Sequence, residues 1–438
     1  MDRPSQEQVL REIQKNYPYM YLVFTVGLDG RNVARSDDVP LKDYSDRQYY
    51  KDIIQGKQLS WQTLIGKTSK KPALILAVPI KSGDQLVGVL AAAMTVDDAP
   101  LRVKHASMPE PPAERVTYAA EVISNARQPI ILAGNGVVRS GAWAELAEFA
   151  ERLNIPVTNT FMAKGVLPFK HPMALGSAGL QSQDYVNFGF AHADTIICIG
   201  YDLVEYHPRL WHPTRDRTIV HIDSSPAEVD AHYPVCVGVV GDIKHSLNRI
   251  AEQATPHDGH KLRPLRKALI KEMNQHQDDK DFPLKPQKII WDLRTALDLE
   301  DTVICDVGAH KMWMARMFRC EHPNTCLISN GFASMGIAVP GAVAARLAQP
   351  ERKVVAVTGD GGFMMNVQEI ETAVRLKVAM VVLIWNDSGY GLIEWKQMNQ
   401  FGRPSNVEFG NPDFVQLAEA FGAKGYRIYQ AEQLLSTL

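Results

Sequence analysis

Asp360 and Asp387 stand 27 positions apart (387 − 360), each in a glycine-containing turn that closes an apolar run. The first turn is Gly359-Asp360-Gly361-Gly362, fed by Val354 to Thr358. The second is Asn386-Asp387-Ser388-Gly389-Tyr390, fed by Met380 to Trp385. A helical segment between them predicts a β-α-β unit, which brings two parallel strand ends side by side. Two hard carboxylates at such a place suit Mg2+, which takes few protein ligands and completes its shell with phosphate and water. The glycines let the backbone approach an anion, and a helix after Gly362 would offer it free N–H groups. The chemistry predicted is that of a metal–diphosphate cradle.

Three textures surround it. Residues 1–98 read as α+β: a helix from Glu7 to Tyr17, strands at Tyr19 to Val26, Ala73 to Ile80 and Leu86 to Met94, a turn at Asp29-Gly30 and a hairpin turn at Lys81-Ser82-Gly83-Asp84. A polar, Pro-rich link (Met108-Pro109-Glu110-Pro111-Pro112) leads into alternating strands and helices. Strands are predicted at Pro129 to Gly134, Ile155 to Asn159, Thr195 to Gly200, Thr218 to Asp223 and Val235 to Val240, with a helix at Ala142 to Leu153. Residues 254–285 are charged and read as a connector, helix-prone from Leu262 to Asn274. A second αβ block follows, with strands at Thr302 to Val307, Thr325 to Ser329, Lys353 to Thr358 and Met380 to Trp385. The fold class expected is α/β: two doubly wound parallel-sheet domains, 99–253 and 286–438, preceded by a small α+β segment.

Composition bounds the function. A formal charge of −2 over 438 residues gives no basic field for nucleic acid or an anionic membrane surface. The five cysteines, at 198, 236, 305, 320 and 326, show no CxxC spacing, so neither a disulfide framework nor a zinc site is expected and a reducing, cytoplasmic setting fits. The N-terminus is polar and no apolar run approaches the roughly 18 residues of a membrane span. No GxGxxG or GxxxxGK[ST] stands at a strand–helix junction, which disfavours a nucleotide site of those kinds.

The GDG…ND pair resembles the thiamine-diphosphate binding motif. From about Leu101 to Leu438 the chain is similar to the acetolactate synthase branch of the thiamine-diphosphate enzymes, leaning to its catabolic, FAD-independent type. The likeness rests on Ile197 to Tyr206, Val220 to Asp223, Asp306-Val307-Gly308-Ala309-His310, Ile328 to Met335-Gly336, Glu369 to Leu376, Val407 to Gly410 and Phe421 to Gly425. The resemblance implies thiamine diphosphate and Mg2+ as cofactors. Asp360, Asp387 and the carbonyl of Gly389 would hold the metal. Gly308, Ala309, His310, Gly359, Gly361 and Gly362 would line the diphosphate, Met335 would sit under the bent cofactor, and Tyr390 would pack beside it. Two plainer alternatives stay open: Met335 as a core methionine and His310 as a helix cap. In this family the cofactor does the covalent work, and two pyruvates give 2-acetolactate and CO2.

The family also carries an N-terminal pyrimidine-binding domain whose glutamate activates the cofactor, and the active site lies between subunits. Residues 1–98 do not resemble that domain, so no catalytic residue is assigned within the chain. A homo-oligomer, or a partner chain supplying the glutamate, is expected. The likeness breaks off near Ala431 to Leu435, as though the last domain were clipped. Residues 1–98 look instead like part of a Cache sensor domain, the extended PAS-like module, on Val33 to Asp38, Asp43 to Tyr50, Lys70 to Ile80 and Leu86 to Leu90. That likeness implies a small carboxylate or amino-acid ligand held by Arg47, Tyr49, Tyr50 and Asp97, against the plainer reading of these as packing residues. A non-catalytic cofactor-binding or ligand-sensing protein is the alternative function.

Overall fold

A computed structural model describes residues 2–17, 20–67, 72–95, 108–180, 184–258 and 262–438. The chain divides into two compact units, Met1–Ala106 and Ser107–Leu438.

In the first unit the helix Arg3–Asn16 starts on Asp2, whose side chain accepts from the Ser5 amide. A five-stranded antiparallel sheet follows, in the spatial order Asn32–Arg35, Met20–Val26, Gln85–Thr95, Pro72–Ser82, Ser60–Ile65. The long hairpin falls where its turn residues predict. The strand Ser60–Ile65 and the helix Gln48–Ile54 were not expected. Trp61 and Ile65 of that edge strand are exposed, so its apolar residues do not mark an inner face. The helix is two turns long and buries only Tyr49, Tyr50 and Ile53, too short a pattern to show a helical period.

The second unit holds two parallel sheets. The central one has six strands, in the order Val235–Val240, Thr218–Asp223, Thr195–Ile199, Pro129–Ala133, Val157–Asn159, Ala174–Ser177. Helices cover both faces, which is why Thr195–Ile199 is buried along its whole length and reads as one unbroken apolar run. Ala174–Ser177 adds an edge strand that its four short residues did not announce. The connector helix is Arg263–Met273. The C-terminal sheet has the order Cys326–Ile328, Thr302–Cys305, Val354–Gly359, Val381–Trp385, all parallel. After Thr302–Cys305 the chain first visits one neighbour and then crosses to the other. The topological switch therefore lies between Thr302–Cys305 and Val354–Gly359, and the crevice outside their C-terminal ends is where such sheets bind ligands.

All five cysteines are free thiols. Among the described residues no helix is long and apolar enough to cross a membrane.

Candidate functional site

The switch-point crevice is built from turns. Val354–Gly359 delivers Asp360 directly into a helix, Asp360–Met365, with Gly359 as its N-cap. This corrects the expected start after Gly362, and at six residues the helix is only a short turn. Asp360 is 1% exposed. Its Oδ1 accepts from the Gly361 amide at 2.7 Å, and its Oδ2 accepts from the Ser388 amide and the Asn411 side chain, both at 2.6 Å. Ser388 belongs to the second acidic turn and sits at φ +58°, the left-handed kink that reverses the chain there. Burial and the neighbouring charge of Asp360 push the Asp387 carboxyl above its ordinary value. Two carboxylates crowded in a desolvated turn call for a cation. Among the described residues no cluster of three or more His, Cys, Asp or Glu side chains forms, so a metal here would rest on these two carboxylates, backbone oxygen and its ligand.

His310 faces them from the first turn of the helix Ala309–Met317. It does not cap that helix: Gly308 is the N-cap, with no side-chain cap hydrogen bond. The ring is buried, burial pushes its pKa down to about 4, and Nε2 has no hydrogen-bond partner. The one N–H of the neutral ring goes to the Asp306 backbone carbonyl, so Nε2 is left as an acceptor for an N–H or O–H of a ligand. The glycines leave it room. A Cβ on Gly361 would meet the Tyr390 ring at 2.7 Å, and one on Gly308 would meet His310 at 2.9 Å.

One further residue fixes this arrangement. Asp306, fully buried, takes the Gly336 amide on both carboxylate oxygens at 2.9 and 3.0 Å, the Val307 amide at 2.7 Å and the Thr358 hydroxyl at 3.1 Å. On the other side of Gly336, the Asn366 side chain donates to its carbonyl at 2.8 Å. Met335 is thereby held at the crevice. It is half-buried and lines the cavity, which sets aside its reading as a core methionine.

All the residues assigned to the cofactor, namely Gly308, Ala309, His310, Met335, Gly359, Asp360, Gly361, Gly362, Asp387, Gly389 and Tyr390, line one cavity of about 1390 Å³. Asp306 and Asn411 were missed as site residues. Asn411 follows the run Val407 to Gly410, whose Val407 carbonyl accepts from the Tyr390 amide at 2.9 Å, and only the fold brings it to Asp360.

The central sheet has its own switch point, between Pro129–Ala133 and Thr195–Ile199. There the buried Glu205 carboxylate accepts from the Asn135 amide at 3.0 and 3.1 Å and from the Thr160 hydroxyl at 2.5 Å. Burial raises its pKa. A nucleotide phosphate arriving here would meet a carboxylate.

In the first unit, Arg47 and Tyr49 line a small cavity with Tyr44 and Lys67. The Arg47 Nε is buried without a hydrogen-bond partner, and its nearest carboxylate, Asp46, lies at 3.9 Å. Tyr50 is spent elsewhere, its hydroxyl donating to the Leu28 carbonyl at 2.8 Å. Asp97 lies outside the described residues.

Comparison with known proteins fits this geometry. The family model for the C-terminal TPP binding domain of thiamine pyrophosphate enzymes matches residues 306–438, and that for their central domain matches residues 116–250. The chain is 35% identical over 334 residues to an acetolactate synthase of Bacillus subtilis (strain 168), an alignment covering 74% of this chain and 58% of the relative. It is 35% identical over 351 residues to a probable acetolactate synthase large subunit of Methanococcus aeolicus (74% and 57%). With a catabolic acetolactate synthase of Raoultella terrigena it shares 33% over 350 residues (74% and 59%). The chain thus spans somewhat more than half the length of the relatives it matches.

Proposed function

The chain carries the central domain and the C-terminal cofactor-binding domain of the thiamine pyrophosphate enzymes, and on that premise we propose that it serves as the cofactor-holding half of an acetolactate synthase-type active site. Thiamine pyrophosphate, with Mg2+ as the usual metal, is the cofactor of these domains. The observation that carries the reading is the convergence of Asp360, Asp387, His310 and Met335 on one switch-point cavity.

Each residue then has a task. Asp360 and Asp387, with the Gly389 carbonyl, hold the metal. Ser388 and Asn411 occupy one Asp360 oxygen and keep that carboxylate from turning. The turn at Gly361 and Gly362, where the missing Cβ atoms leave room, and the His310 ring would line the diphosphate, and Met335 would sit beneath the cofactor. When bound, thiamine diphosphate supplies the nucleophilic carbon and the electron sink on which a 2-oxo acid such as pyruvate loses CO2.

The glutamate that activates the cofactor belongs to a pyrimidine-binding domain, and a partner chain supplies it in this reading. Support comes from the exposed apolar side chains on the helix Gly391–Phe401 beside the cradle: Trp395, Met398 and Phe401 lie at the surface, and the helix buries none of its residues. The test is acetolactate formation from pyruvate by the chain alone and after addition of a chain bearing that domain. Turnover only in the mixture is expected. Full turnover by the chain alone would overturn the half-site reading.

A second reading concerns residues 1–106. The Arg47 Nε, which makes no hydrogen bond and only a long 3.9 Å ion pair to Asp46, favours a Cache-like site for a small carboxylate or amino acid in its small cavity. A thermal-shift screen of such ligands, with Arg47→Ala as control, decides it. A shift that survives the substitution, or no shift with any ligand, counts against it.

A further inference from the structure

The sheet of the first unit ends on an open edge. Ser60–Ile65 pairs with Pro72–Ser82 on one side, and among the described residues no backbone hydrogen bond reaches its other side. Alternate N–H and C=O groups of an edge strand point away from its sheet and can take up another strand. Proteins commonly blunt such an edge with a charge, a proline or a bulge. Ser60-Trp61-Gln62-Thr63-Leu64-Ile65 has no charged residue, proline or glycine, and its register on Pro72–Ser82 runs without a shift.

The side chains beside this edge are apolar and bare. Leu59, Trp61, Thr63 and Ile65 alternate onto one face, and Leu59, Trp61 and Ile65 are 57%, 66% and 56% exposed. The helix Arg3–Asn16 covers the same face farther in, over Val23, Ala34, Leu90 and Ala92, and does not reach the edge strand. The strand is also complementary to itself. Directly opposite residues of an antiparallel pair share a face, so a twofold axis relating two copies of one edge passes through a residue. An axis at Thr63 sets Thr63 against Thr63, Trp61 against Ile65 and Gln62 against Leu64 of the second copy. The first two are the Thr–Thr and aromatic–β-branched pairs that stabilise sheets. The Gln62 Oε1 makes no hydrogen bond within the chain. Its diagonal neighbour across the axis is the Gln62 amide of the second copy, which can donate to it after a change of rotamer.

We propose that Ser60–Ile65 pairs antiparallel with the same strand of a second copy about an axis at Thr63, joining two five-stranded sheets into one. The occupant is a second copy because the register satisfies itself and the neutral edge offers no charge to select a charged segment. Pairing of two six-residue strands buries less than the roughly 1,000 Å² of a stable interface, so the contact is reversible and depends on protein concentration. It needs nothing of the cofactor cradle or of the Arg47 cavity.

The experiment traps the pair. Thr63→Cys is made in a Cys236→Ser chain, which lacks the exposed native thiol, and the full chain is oxidised with diamide at increasing protein concentration. Opposite residues of an antiparallel pair have Cα atoms about 4.5–5.5 Å apart, within disulfide range. A covalent dimer bridged at position 63, with a yield that rises with concentration, is expected. Leu59→Cys lies about 27 Å from its own copy in this register and should give several-fold less. Adding Trp61→Lys to Thr63→Cys should lower the yield in the same way. No dimer, or an equal yield from either control, overturns the proposal. Should the variants not fold, amide hydrogen exchange of the native chain decides. Slower exchange at Ser60–Ile65 in concentrated than in dilute protein supports the pairing, and exchange independent of concentration overturns it.

Discussion

The Asp306 carboxylate grips the Gly336 amide with both oxygens, at 2.9 and 3.0 Å, across 30 residues of sequence. Through this contact the end of the strand Thr302–Cys305 sets the position of the Met335 loop. Asn366, just past the Asp360 turn, holds the same glycine by its carbonyl. The ends of the two strands that flank the switch point thus also aim Met335, the residue proposed to sit under the cofactor.

Asp306→Ala leaves the buried Gly336 and Val307 amides without their acceptor, while the Thr358 hydroxyl keeps the Gly359 carbonyl at 3.0 Å. Unpaired buried donors cost about 1–3 kcal/mol each before relaxation, so a loss of about 3 kcal/mol is expected in urea unfolding. Thiamine diphosphate affinity should fall with it. Asn366→Ala removes the neutral hydrogen bond to the Gly336 carbonyl and an exposed one from Gln368, and should cost about 1 kcal/mol in the same measurement.

Acid should weaken the metal-free protein over a defined window. Burial lowers the pKa of His212, His221 and His257, and that of His310 to about 4. A histidine held neutral in the fold contributes stability above its unfolded value of 6.5, and this is lost as pH falls from there toward the folded value. For His310 alone the window of 6.5 to about 4 is worth about 3 kcal/mol in full. The raised carboxyls Glu205 and Asp387 act with the opposite sign, their contribution being lost as pH rises through their folded values. Urea midpoints at pH 7.5 and pH 5 should differ, and His310→Gln should shrink the difference.

Glu205→Ala should destabilise the chain by about 2 kcal/mol, because the Asn135 amide and the Thr160 hydroxyl lose a buried acceptor. If the carboxylate also keeps phosphate out of the central crevice, native protein should show no FAD uptake in fluorescence titration. Tight flavin binding by the native chain would contradict that account.

Much of this site is legible in the chain because its parts are local. Gly359 to Gly362 and Asn386 to Tyr390 each declare a turn after a buried strand, and the strand order then puts them side by side. What stayed hidden is long-range. Asn411 lies 51 residues from the carboxylate it holds, and nothing in its neighbourhood announces the contact. Asp306 belongs to a run that carries the family likeness, but its grip on Gly336 depends on a loop returning from the far side of the sheet. Of the edge strands, Ser60–Ile65 is hard to read because it exposes Trp61 and Ile65, and Ala174–Ser177, though largely buried, because it is only four residues long.

Calorimetric titration of the chain with thiamine diphosphate, with and without Mg2+, tests the central claim most directly. Saturable binding that requires Mg2+, is reversed by a chelator and is abolished by Asp360→Ala is the predicted result. Binding that survives chelation or the substitution, or no binding with Mg2+ present, would contradict it.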